Sequence, residues 1–326
     1  MKAVLVEQFS PVQSLRIQDV PTSDLPRGRV RVRIKAAGIG FVDGLKVQGL
    51  YQTRDPLPFV PGMEFAGVVD EIGEAVSRVA AGDRVFGLVS RGALAEEIVV
   101  PENELFRIPE NLSFVQSAAI PVNYLTATYG LQERAALRGG EILLVLGAAG
   151  GTGTAAIKVG KSLGAHVIAA ASSEEKRSFA CSQGADAAID YTLENWRETL
   201  KSLTQGRAVN VVFDAVGGEI SPVAFRTLAW KGQHLVVGFA AGKIPALPFN
   251  IALLKGASLT GVDSAQIRKF EPDVYDRLMQ DVCVALERRS LEPPPTHTFS
   301  FANFQEAFET MSARRARGKI VVEVAD

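Results

Sequence analysis

The sequence has little of the chemistry that metal centres and disulfide scaffolds need. Its 326 residues include 2 cysteines and 3 histidines. Two cysteines cannot form a four-cysteine zinc lobe, and three histidines are a poor supply for a zinc site bound through imidazole. The low cysteine content also excludes a disulfide-stapled fold and fits a reducing compartment.

The sequence also lacks an excess of charge of either sign and a long apolar run. Thirty-five basic side chains stand against 36 acidic ones, so no overall field draws the chain to nucleic acid or anionic lipid. The uncharged, largely apolar stretch at residues 142–157 is interrupted by glycines and is shorter than the roughly 20 residues of a membrane span. The N-terminal MKAVLVEQFS resembles a strand rather than a signal peptide. We therefore expect a cytoplasmic protein.

The composition and patterning predict two domains. Hydrophobic residues make up 47% of the chain and charged residues 22%, as in soluble globular proteins, and the length suits two domains. RVRVRI at residues 29–34 alternates charged and apolar side chains, which predicts a strand with one face in water. Short strands with frequent glycine and proline predict a barrel-like module over the first hundred residues.

From Glu141 the pattern changes to buried strands that alternate with helices. EILLVLG, AHVIAAA, DAAIDY, VNVVFDAVG and GQHLVVGF are separated by helical stretches, which predicts a doubly wound parallel α/β sheet. A helix is predicted over residues 272–289. The tail strands THTFSF and GKIVVEV should complete the N-terminal module, with a helix between them that Asn303 caps.

The strongest chemical signal is the loop GAAGGTG after the first buried strand. Gly147, Gly150 and Gly153 give the spacing G-x-x-G-x-x-G between a strand and a helix. Such glycines permit a tight turn, close approach of the backbone to a pyrophosphate, and close helix packing. The helix N-terminus then presents free N–H groups to the phosphates. The loop predicts a dinucleotide site.

The end of the next strand indicates which dinucleotide binds. NAD sites place an acid there for the ribose 2′-hydroxyl, but this strand ends in Ala170, Ala171, Ser172 and Ser173. Lys176 and the neighbouring Arg177 follow and could neutralise a 2′-phosphate, although they could equally form a solvated helix face. The missing acid favours NADPH.

These segments together resemble the zinc-free medium-chain dehydrogenase/reductase superfamily, specifically its NADPH:quinone oxidoreductase (zeta-crystallin-like) group. The matching segments, in family order, are AAGIGFVDGLKVQGLYQ, LPFVPGMEFAGVVDEIG, AAIPVNYLTATYGL, GAAGGTG, GADAAIDY and VFDAVGG. The resemblance implies a GroES-like substrate domain formed by residues 1–120 and 265–326, a Rossmann NADPH-binding domain at 121–264, and a homodimer joined through the Rossmann sheet.

The resemblance also implies that no catalytic zinc is bound. Zinc-dependent relatives carry ligands at the positions of Gly40, Met63 and Asn123, where this sequence has no imidazole or thiolate. The quinone reductases themselves generally carry asparagine at position 40, so Gly40 departs from the group.

The resemblance implies hydride transfer from NADPH to a quinone or a related electron-poor conjugated carbonyl. Tyr51 resembles the proton-donating tyrosine of enoyl-thioester reductases, although it could line the pocket through its ring alone. The predicted substrate pocket consists of Phe41, Tyr51, Met63, Asn123 and Phe239. The predicted cofactor contacts are Asn123, Thr126, Ala149, Gly150, Gly151, Thr152, Ser172, Lys176, Tyr191, Val216, Gly217, Phe239, Ala240 and Arg314.

Two other polar residues invite a catalytic interpretation that the sequence does not favour. Asp214 follows an apolar strand, and we interpret it as a cap of the turn into Val216 and Gly217. His234 is predicted to begin a strand, at the edge of the sheet opposite the ligand crevice.

Two alternative functions remain open. An enoyl-CoA or enoyl-ACP reductase would need a basic patch for the carrier, for which Lys46, Arg54 and Lys243 are the candidates. A non-catalytic, crystallin-like protein that keeps NADPH as a structural ligand is the second alternative. A nucleic-acid-binding relative is disfavoured by the near-neutral charge and the lack of interleaved aromatic and basic residues.

Overall fold

The computed structural model describes residues 1–324, which form two compact units. The first unit holds Met1–Val122, Met279–Arg289 and the chain from Pro293 onward. The second unit holds Asn123–Leu278 and Ser290–Glu292. The predicted division into functional domains after residues 120 and 264 stays a prediction.

Both units are built from strands and helices whose bounds are as follows. The strands are β1 (Lys2–Leu5), β2 (Arg16–Asp19), β3 (Arg29–Ile39), β4 (Glu64–Ile72), β5 (Arg84–Leu88), β6 (Glu97–Pro101), β7 (Leu105–Arg107), β8 (Ile142–Leu146), β9 (His166–Ala171), β10 (Ala187–Asp190), β11 (Val209–Asp214), β12 (Leu228–Val236), β13 (Ser258–Gly261), β14 (Thr296–Ser300) and β15 (Lys319–Glu323). The α-helices are α1 (Phe41–Val47), α2 (Phe114–Ala118), α3 (Pro121–Thr128), α4 (Gly151–Ser162), α5 (Glu174–Ser182), α6 (Trp196–Leu203), α7 (Ile220–Phe225), α8 (Phe249–Lys255), α9 (Ser264–Phe270), α10 (Pro272–Glu287) and α11 (Phe304–Ser312).

The first unit is organised around the long strand β3. The sheet runs in the order β14-β15-β3-β4-β5-β7, and β6 also pairs with β3. Val30, Val32 and Ile34 of β3 are fully buried in the core of this unit. The close pairing of β3 with β4 requires Gly67, because a Cβ atom there would lie 2.1 Å from the carbonyl oxygen of Arg33. The predicted β-rich module is confirmed.

The prediction of a water-exposed charged face on β3 is wrong at Arg31. This side chain is only 8% exposed. Its guanidinium lies 3.1 Å from carboxylate oxygens of both Glu71 and Glu97, on the two strands that flank β3, and it also donates to the carbonyl of Ser23. Because β4 and β6 both supply carboxylates, two ion pairs neutralise the charge of Arg31.

The tail of the chain completes the first unit, as predicted. β15 pairs antiparallel with β3, with Ile320 opposite Ile39 and Val322 opposite Ala37, and β14 pairs parallel with β15. Asn303 stands at the N-cap position of α11, but its side chain forms no capping hydrogen bond. The predicted cap is therefore wrong in its chemistry, although the helix is present.

The second unit is a six-stranded, wholly parallel sheet. Its order is β10-β9-β8-β11-β12-β13. The chain adds β9 and β10 on one side of β8 and then returns to add β11, β12 and β13 on the other side. This reversal beside β8 is the switch point at which such sheets bind ligands, beyond the carboxyl ends of the strands. The predicted doubly wound fold is confirmed.

The helices follow the predicted pattern with small differences at their ends. α4 begins at Gly151, within the glycine loop, and α10 ends two residues before the predicted end. Across residues 1–324, no helix combines the length and apolarity that crossing a bilayer demands.

Candidate cofactor site

The turn from β8 into α4 depends on two glycines for its own packing. A Cβ atom at Gly153 would lie 2.3 Å from the carbonyl oxygen of Gly147, so only glycine lets the helix approach the strand. Gly147 has φ +71°, in the left-handed region, and a Cβ there would lie 2.9 Å from Val216. These positions match the roles that the sequence pattern predicts for a tight turn and for close packing.

Gly150 is different, because the protein itself does not require a glycine there. Its φ of −77° suits any residue, and a Cβ atom would meet only the carbonyl of Gly147, at an ordinary 3.6 Å. Gly150 is exposed and stands at the N-cap of α4, where no side chain caps the helix. The open backbone and the positive end of the helix form a cradle that accommodates a pyrophosphate.

Asn123 of α3 holds the first turn of α4 from one side. Thr152 Oγ1 donates to Asn123 Oδ1 at 3.0 Å, and a Cβ at Gly151 would lie 2.9 Å from Asn123 Nδ2. Asn123 is 3% exposed, and Thr126, one turn later, shares a 2.8 Å hydrogen bond with Ser264. The structure therefore brings Asn123, Gly151 and Thr152 together.

At the end of β9 the two predicted basic residues have different environments. Arg177 lies 2.6 Å from an oxygen of Asp190 and 2.8 Å from one of Glu174. Within the described residues 1–324, Lys176 forms no ion pair. Its backbone N–H donates to Ser173, which caps α5. Arg177 therefore stabilises the junction of β9, β10 and α5, whereas the ammonium of Lys176 remains available to an anion.

Asp214 closes the turn after β11, which confirms the interpretation from the sequence. Its Oδ1 accepts the N–H groups of Val216 and Gly217, each at 2.9 Å. Its Oδ2 accepts hydrogen bonds from Ser221 and from His234 Nε2, the latter at 2.9 Å. Burial raises the pKa of this carboxyl, but these hydrogen bonds outweigh the effect and hold the pKa below its ordinary value.

The predicted position of His234 is wrong. β12 begins at Leu228, so His234 lies two residues before the carboxyl end of the strand and beside Val212 of β11. The pairing of β12 with β11 shifts at a bulge before His234, between the pairs Val209–Leu228 and Val211–Gln233. His234 is 1% exposed, and no local sequence pattern indicates its contact with Asp214, which also accepts from Ser221.

The loops after β11 and β12 are held together by backbone contacts. Ala240 N–H donates to the carbonyl of Ala215, and Ala241 N–H donates to that of Val216. Gly217 has φ +69°, and a Cβ there would lie 2.9 Å from the ring of Phe239. The predicted residues Val216, Gly217, Phe239 and Ala240 therefore form one cluster at the carboxyl edge of the sheet.

The remaining predicted residues fall into both units. Phe41, Tyr51, Met63 and Arg314 lie in the first unit, respectively at the start of α1, in the loop after α1, before β4 and after α11. Phe41 is 39% exposed, and Tyr51 and Met63 are half-buried. Ala149, Ser172 and Tyr191 lie in the second unit, at the ends of β8, β9 and β10.

The first unit also holds a buried charged cluster that the sequence did not suggest. Glu64 pairs with Lys319 and accepts the N–H of Val122 at 2.8 Å. Asp43 accepts the N–H of Gly40 at 2.8 Å, and its Oδ1 has no hydrogen-bond partner within the described part of the chain. Burial raises the pKa of Asp43 to about 6. The residues meet from distant parts of the sequence, so no local pattern could reveal them.

The residues at the zinc-ligand positions do not suit a catalytic zinc ion. Gly40 has no side-chain donor, Met63 offers a thioether and Asn123 an amide already bonded to Thr152. Over residues 1–324, no cluster of three histidine, cysteine, aspartate or glutamate side chains is arranged to hold a metal ion.

Family models match both units of the chain. Residues 26–110 match the alcohol dehydrogenase GroES-like domain, and residues 151–280 match the zinc-binding dehydrogenase domain. Quinone oxidoreductase-like protein 2 of Bos taurus is 39% identical over 95% of this chain and 89% of its own length. A quinone oxidoreductase of Pseudomonas aeruginosa is 32% identical over 98% of this chain and 99% of its own.

Solved structures give the same result. The Escherichia coli quinone oxidoreductase complexed with NADPH has a TM-score of 0.90 and 25% identity, over 99% of this chain and 100% of that one. The CurK enoyl reductase has a TM-score of 0.90 and 26% identity, over 99% of both chains. The predicted GroES-like and Rossmann-type fold is confirmed.

Proposed function

The chain belongs to the quinone oxidoreductase-like group of the medium-chain dehydrogenase/reductase superfamily, and we propose that it reduces quinones or related electron-poor conjugated carbonyls with NADPH, without a metal ion. The observation that carries this proposal is Gly150, a glycine that the protein's own packing does not require, at an uncapped helix N-terminus. A dinucleotide phosphate explains why that position has no side chain.

The proposed cofactor is NADPH rather than NADH. β9 ends in Ala171 and Ser172 without an acid for a 2′-hydroxyl, and the ammonium of Lys176 is free of ion pairs among residues 1–324. Ser172, Lys176 and Tyr191 would surround the 2′-phosphate. We expect NADPH to bind at least about tenfold more tightly than NADH, because each charge-assisted contact with the 2′-phosphate is worth about 1.5 kcal/mol or more. Titration calorimetry measures both constants, and equal values would contradict the assignment.

The bound cofactor supplies a hydride, and the chain's own residues supply binding and orientation. Gly150, Gly151 and Thr152 bind the pyrophosphate through the backbone of α4, beside Ala149 at the end of β8. Asn123 fixes Thr152 and, with Thr126, approaches the nicotinamide. Since residues 40, 63 and 123 do not suit zinc, the acceptor must itself stabilise negative charge, as a quinone or conjugated carbonyl does.

We propose Phe41, Tyr51, Met63, Asn123 and Phe239 as the residues that contact the substrate. For a conjugated carbonyl, the hydroxyl of Tyr51 would donate a proton to the developing enolate. For a quinone, water supplies the proton and Tyr51 lines the pocket. Tyr51→Phe should therefore lower enone turnover by about a hundredfold and leave quinone turnover close to that of the unmodified protein.

An enoyl-thioester reductase is the second candidate, favoured by the similarity to the CurK enoyl reductase. The predicted basic patch gives it little support. Lys46 is buried and bonded to Asp55 and to the carbonyl of Ser90, and Lys243 is paired with Glu219. Arg54 lies over the ring of Phe9. Each of these three side chains already contacts another group of the protein through the charge that would have to bind a phosphorylated carrier.

A homodimer joined through the Rossmann sheet forms part of the proposal. Across residues 1–324, β13 is an edge strand that pairs only with β12. Large apolar side chains on and beside it are exposed, with Leu259 53%, Trp230 69% and Phe249 85% accessible. Such a patch on an open strand suits pairing with a second copy. Leu259→Lys should yield a monomer in analytical ultracentrifugation, and an unchanged mass would contradict this interface.

One assay separates the candidate functions. Chelator-treated protein is mixed with NADPH and, in parallel, with benzoquinone, a simple enone and crotonyl-CoA, while the absorbance of reduced nicotinamide is followed. Fast oxidation with the quinone supports the proposal, and oxidation mainly with the thioester supports the enoyl reductase. Tight NADPH binding without oxidation in any mixture would indicate a non-catalytic NADPH-binding protein. Activity that only added zinc restores would refute the metal-free mechanism.

A further inference from the structure

We infer that Asp214 is a positioning residue that sets how the nicotinamide half of the dinucleotide is held. The inference rests on the proposed function, because it concerns the same cofactor. It goes further by assigning one buried carboxylate to the geometry of the loops that would bind that half.

The carboxylate of Asp214 is saturated with donors from three different segments. Oδ1 accepts two backbone N–H groups of the turn after β11, each at 2.9 Å, and Oδ2 accepts from Ser221 on α7 and from His234 on β12. Asp214 is 3% exposed and Ser221 and His234 are each 1% exposed. The carboxylate thus joins the turn, the following helix and the neighbouring strand without solvent.

The same turn contacts the phosphate loop. A Cβ at Gly147 would lie 2.9 Å from Cγ2 of Val216, so the side chain of Val216 packs directly on the first glycine of that loop. The carbonyl of Asp214 accepts the N–H of Val237 at 2.9 Å, which fixes the start of the loop after β12. A shift of Asp214 would therefore displace the loops after both β11 and β12.

The order of the strands decides which half of the dinucleotide these loops face. The phosphates belong at the start of α4, after β8, and the 2′-phosphate side belongs at β9 and β10, where Lys176 lies. β11 and β12 lie on the opposite side of β8. Since the cofactor extends across the switch point, the loops that Asp214 holds face the nicotinamide half.

Substitution by asparagine breaks this arrangement with little change in volume. If the new NH₂ group faces Val216 and Gly217, it meets two N–H donors. If it faces His234, then Nε2 of the imidazole must accept, and its proton must move to Nδ1. That atom is buried and has no hydrogen-bond partner among the described residues. Both orientations leave buried donors opposed or unpaired.

The test compares two nucleotides on the unmodified protein, Asp214→Asn and Val209→Ala. NADPH and 2′-phospho-ADP-ribose share the pyrophosphate and the 2′-phosphate, but only NADPH has the nicotinamide. Val209 is buried at the opposite end of the same strand, so Val209→Ala controls for lost stability. Dissociation constants come from calorimetry well below the melting temperature of each variant.

Asp214→Asn should weaken NADPH binding by about tenfold, the loss expected for charge-assisted hydrogen bonds, and 2′-phospho-ADP-ribose binding by less than about twofold. Val209→Ala should leave the ratio of the two constants unchanged. Ser221→Ala removes one donor, keeps the carboxylate, and should change the ratio in the same direction by about threefold. If Asp214→Asn does not fold, Ser221→Ala is compared with the unmodified protein in its place.

An equal loss for both nucleotides, or the same change of ratio in Val209→Ala, would overturn the inference and leave the proposed function standing. So would unchanged constants in both Asp214→Asn and Ser221→Ala. Failure of the unmodified protein to bind either nucleotide would instead refute the proposed function and the inference with it.

Discussion

Asp43 in the first unit and Asp214 in the second are 2% and 3% exposed, yet their pKa values shift in opposite directions. Asp214 has a donor for every direction in which its oxygens can accept, and its pKa is lowered. Asp43 accepts one backbone N–H, and its Oδ1 lacks a hydrogen-bond partner among residues 1–324. Its pKa is raised to about 6.

The difference shows that, for these two equally buried carboxyl groups, hydrogen-bond donors decide the direction in which the pKa shifts. Lys319 and Lys46 lie near enough to Asp43 to lower its pKa, but burial outweighs them and Glu64 opposes them. Hydrogen bonds at close range therefore lower the pKa of Asp214, whereas the more distant positive charges near Asp43 do not bring its pKa below the ordinary value.

The largest expected effect comes from removing the saturated carboxylate. Asp214→Ala leaves four buried donors without their acceptor and should lower the free energy of unfolding by about 3 to 5 kcal/mol. Urea unfolding followed by circular dichroism measures it. A loss below about 1 kcal/mol would mean that solvent or another acceptor replaces the carboxylate. It would contradict the conclusion that its four donors distinguish Asp214 from Asp43.

Asp43→Asn should instead remove a pH-dependent cost to the free energy of unfolding, which arises because the ionised carboxylate of Asp43 is buried. The folded-state pKa of about 6 lies above the ordinary 3.8, so the folded protein binds the proton more tightly than the unfolded chain does. The cost is absent below about pH 4, grows between pH 4 and 6, and is complete above pH 6, at about 3 kcal/mol.

The stability of Asp43→Asn relative to the unmodified protein should therefore rise across pH 4 to 6 by about that amount. Asparagine keeps a carbonyl oxygen for the N–H of Gly40. Denaturant midpoints at several pH values measure the difference. For Asp214→Asn the pH-dependent change has the opposite sign and lies below the ordinary pKa of 3.8, so its stability relative to the unmodified protein should stay constant across pH 4 to 6. Parallel pH curves for the variant and the unmodified protein would show that Asp43 titrates normally.

Ser221→Ala tests whether donors are what lower the pKa of Asp214. Removing one of the four should raise the pKa of Asp214 and cost about 1.5 to 3 kcal/mol, the contribution of a hydrogen bond to a charged group. Carboxyl carbon NMR titration and urea unfolding measure the two effects. If the pKa does not rise, the hydrogen bond of Ser221 does not contribute to the saturation of Asp214.

The smallest expected effect is electrostatic. Glu64→Gln removes a negative charge near Asp43 and frees Lys319 to interact with it, so the pKa of Asp43 should fall by roughly half a unit. The glutamine carbonyl can still accept the N–H of Val122. NMR titration of Asp43 gives the result, and a rise in its pKa would mean that Glu64 acts through structure rather than charge.

The two aspartates also show what the sequence can predict. The cap by Asp214 was predictable because its backbone partners, Val216 and Gly217, follow it within three residues. The contacts with Ser221 and His234 were not, since His234 was assigned to the start of its strand. WKGQH contains Lys231 at φ +61° followed by Gly232, which resembles a turn, whereas the strand continues through it.

The cluster around Asp43 was beyond any local pattern. Lys319 reaches it only because β15 pairs with β3, and nothing in the spacing of Asp43, Glu64 and Lys319 indicates that they meet. The phosphate loop, by contrast, is built from a continuous stretch of chain. There the glycine spacing predicted the turn, while the distinction between Gly153 and Gly150 needed the packing distances.

The pairing of β15 with β3 also affects how the protein is made. During synthesis β3 leaves the ribosome long before β15, and the whole parallel sheet of the second unit emerges between them. The central strand of the first sheet must therefore wait with an open edge, a state prone to pairing with other chains. β6 already covers Arg29–Arg33, so the part of β3 that stays open until β15 is made is Ala36–Ile39, which carries no charged side chain.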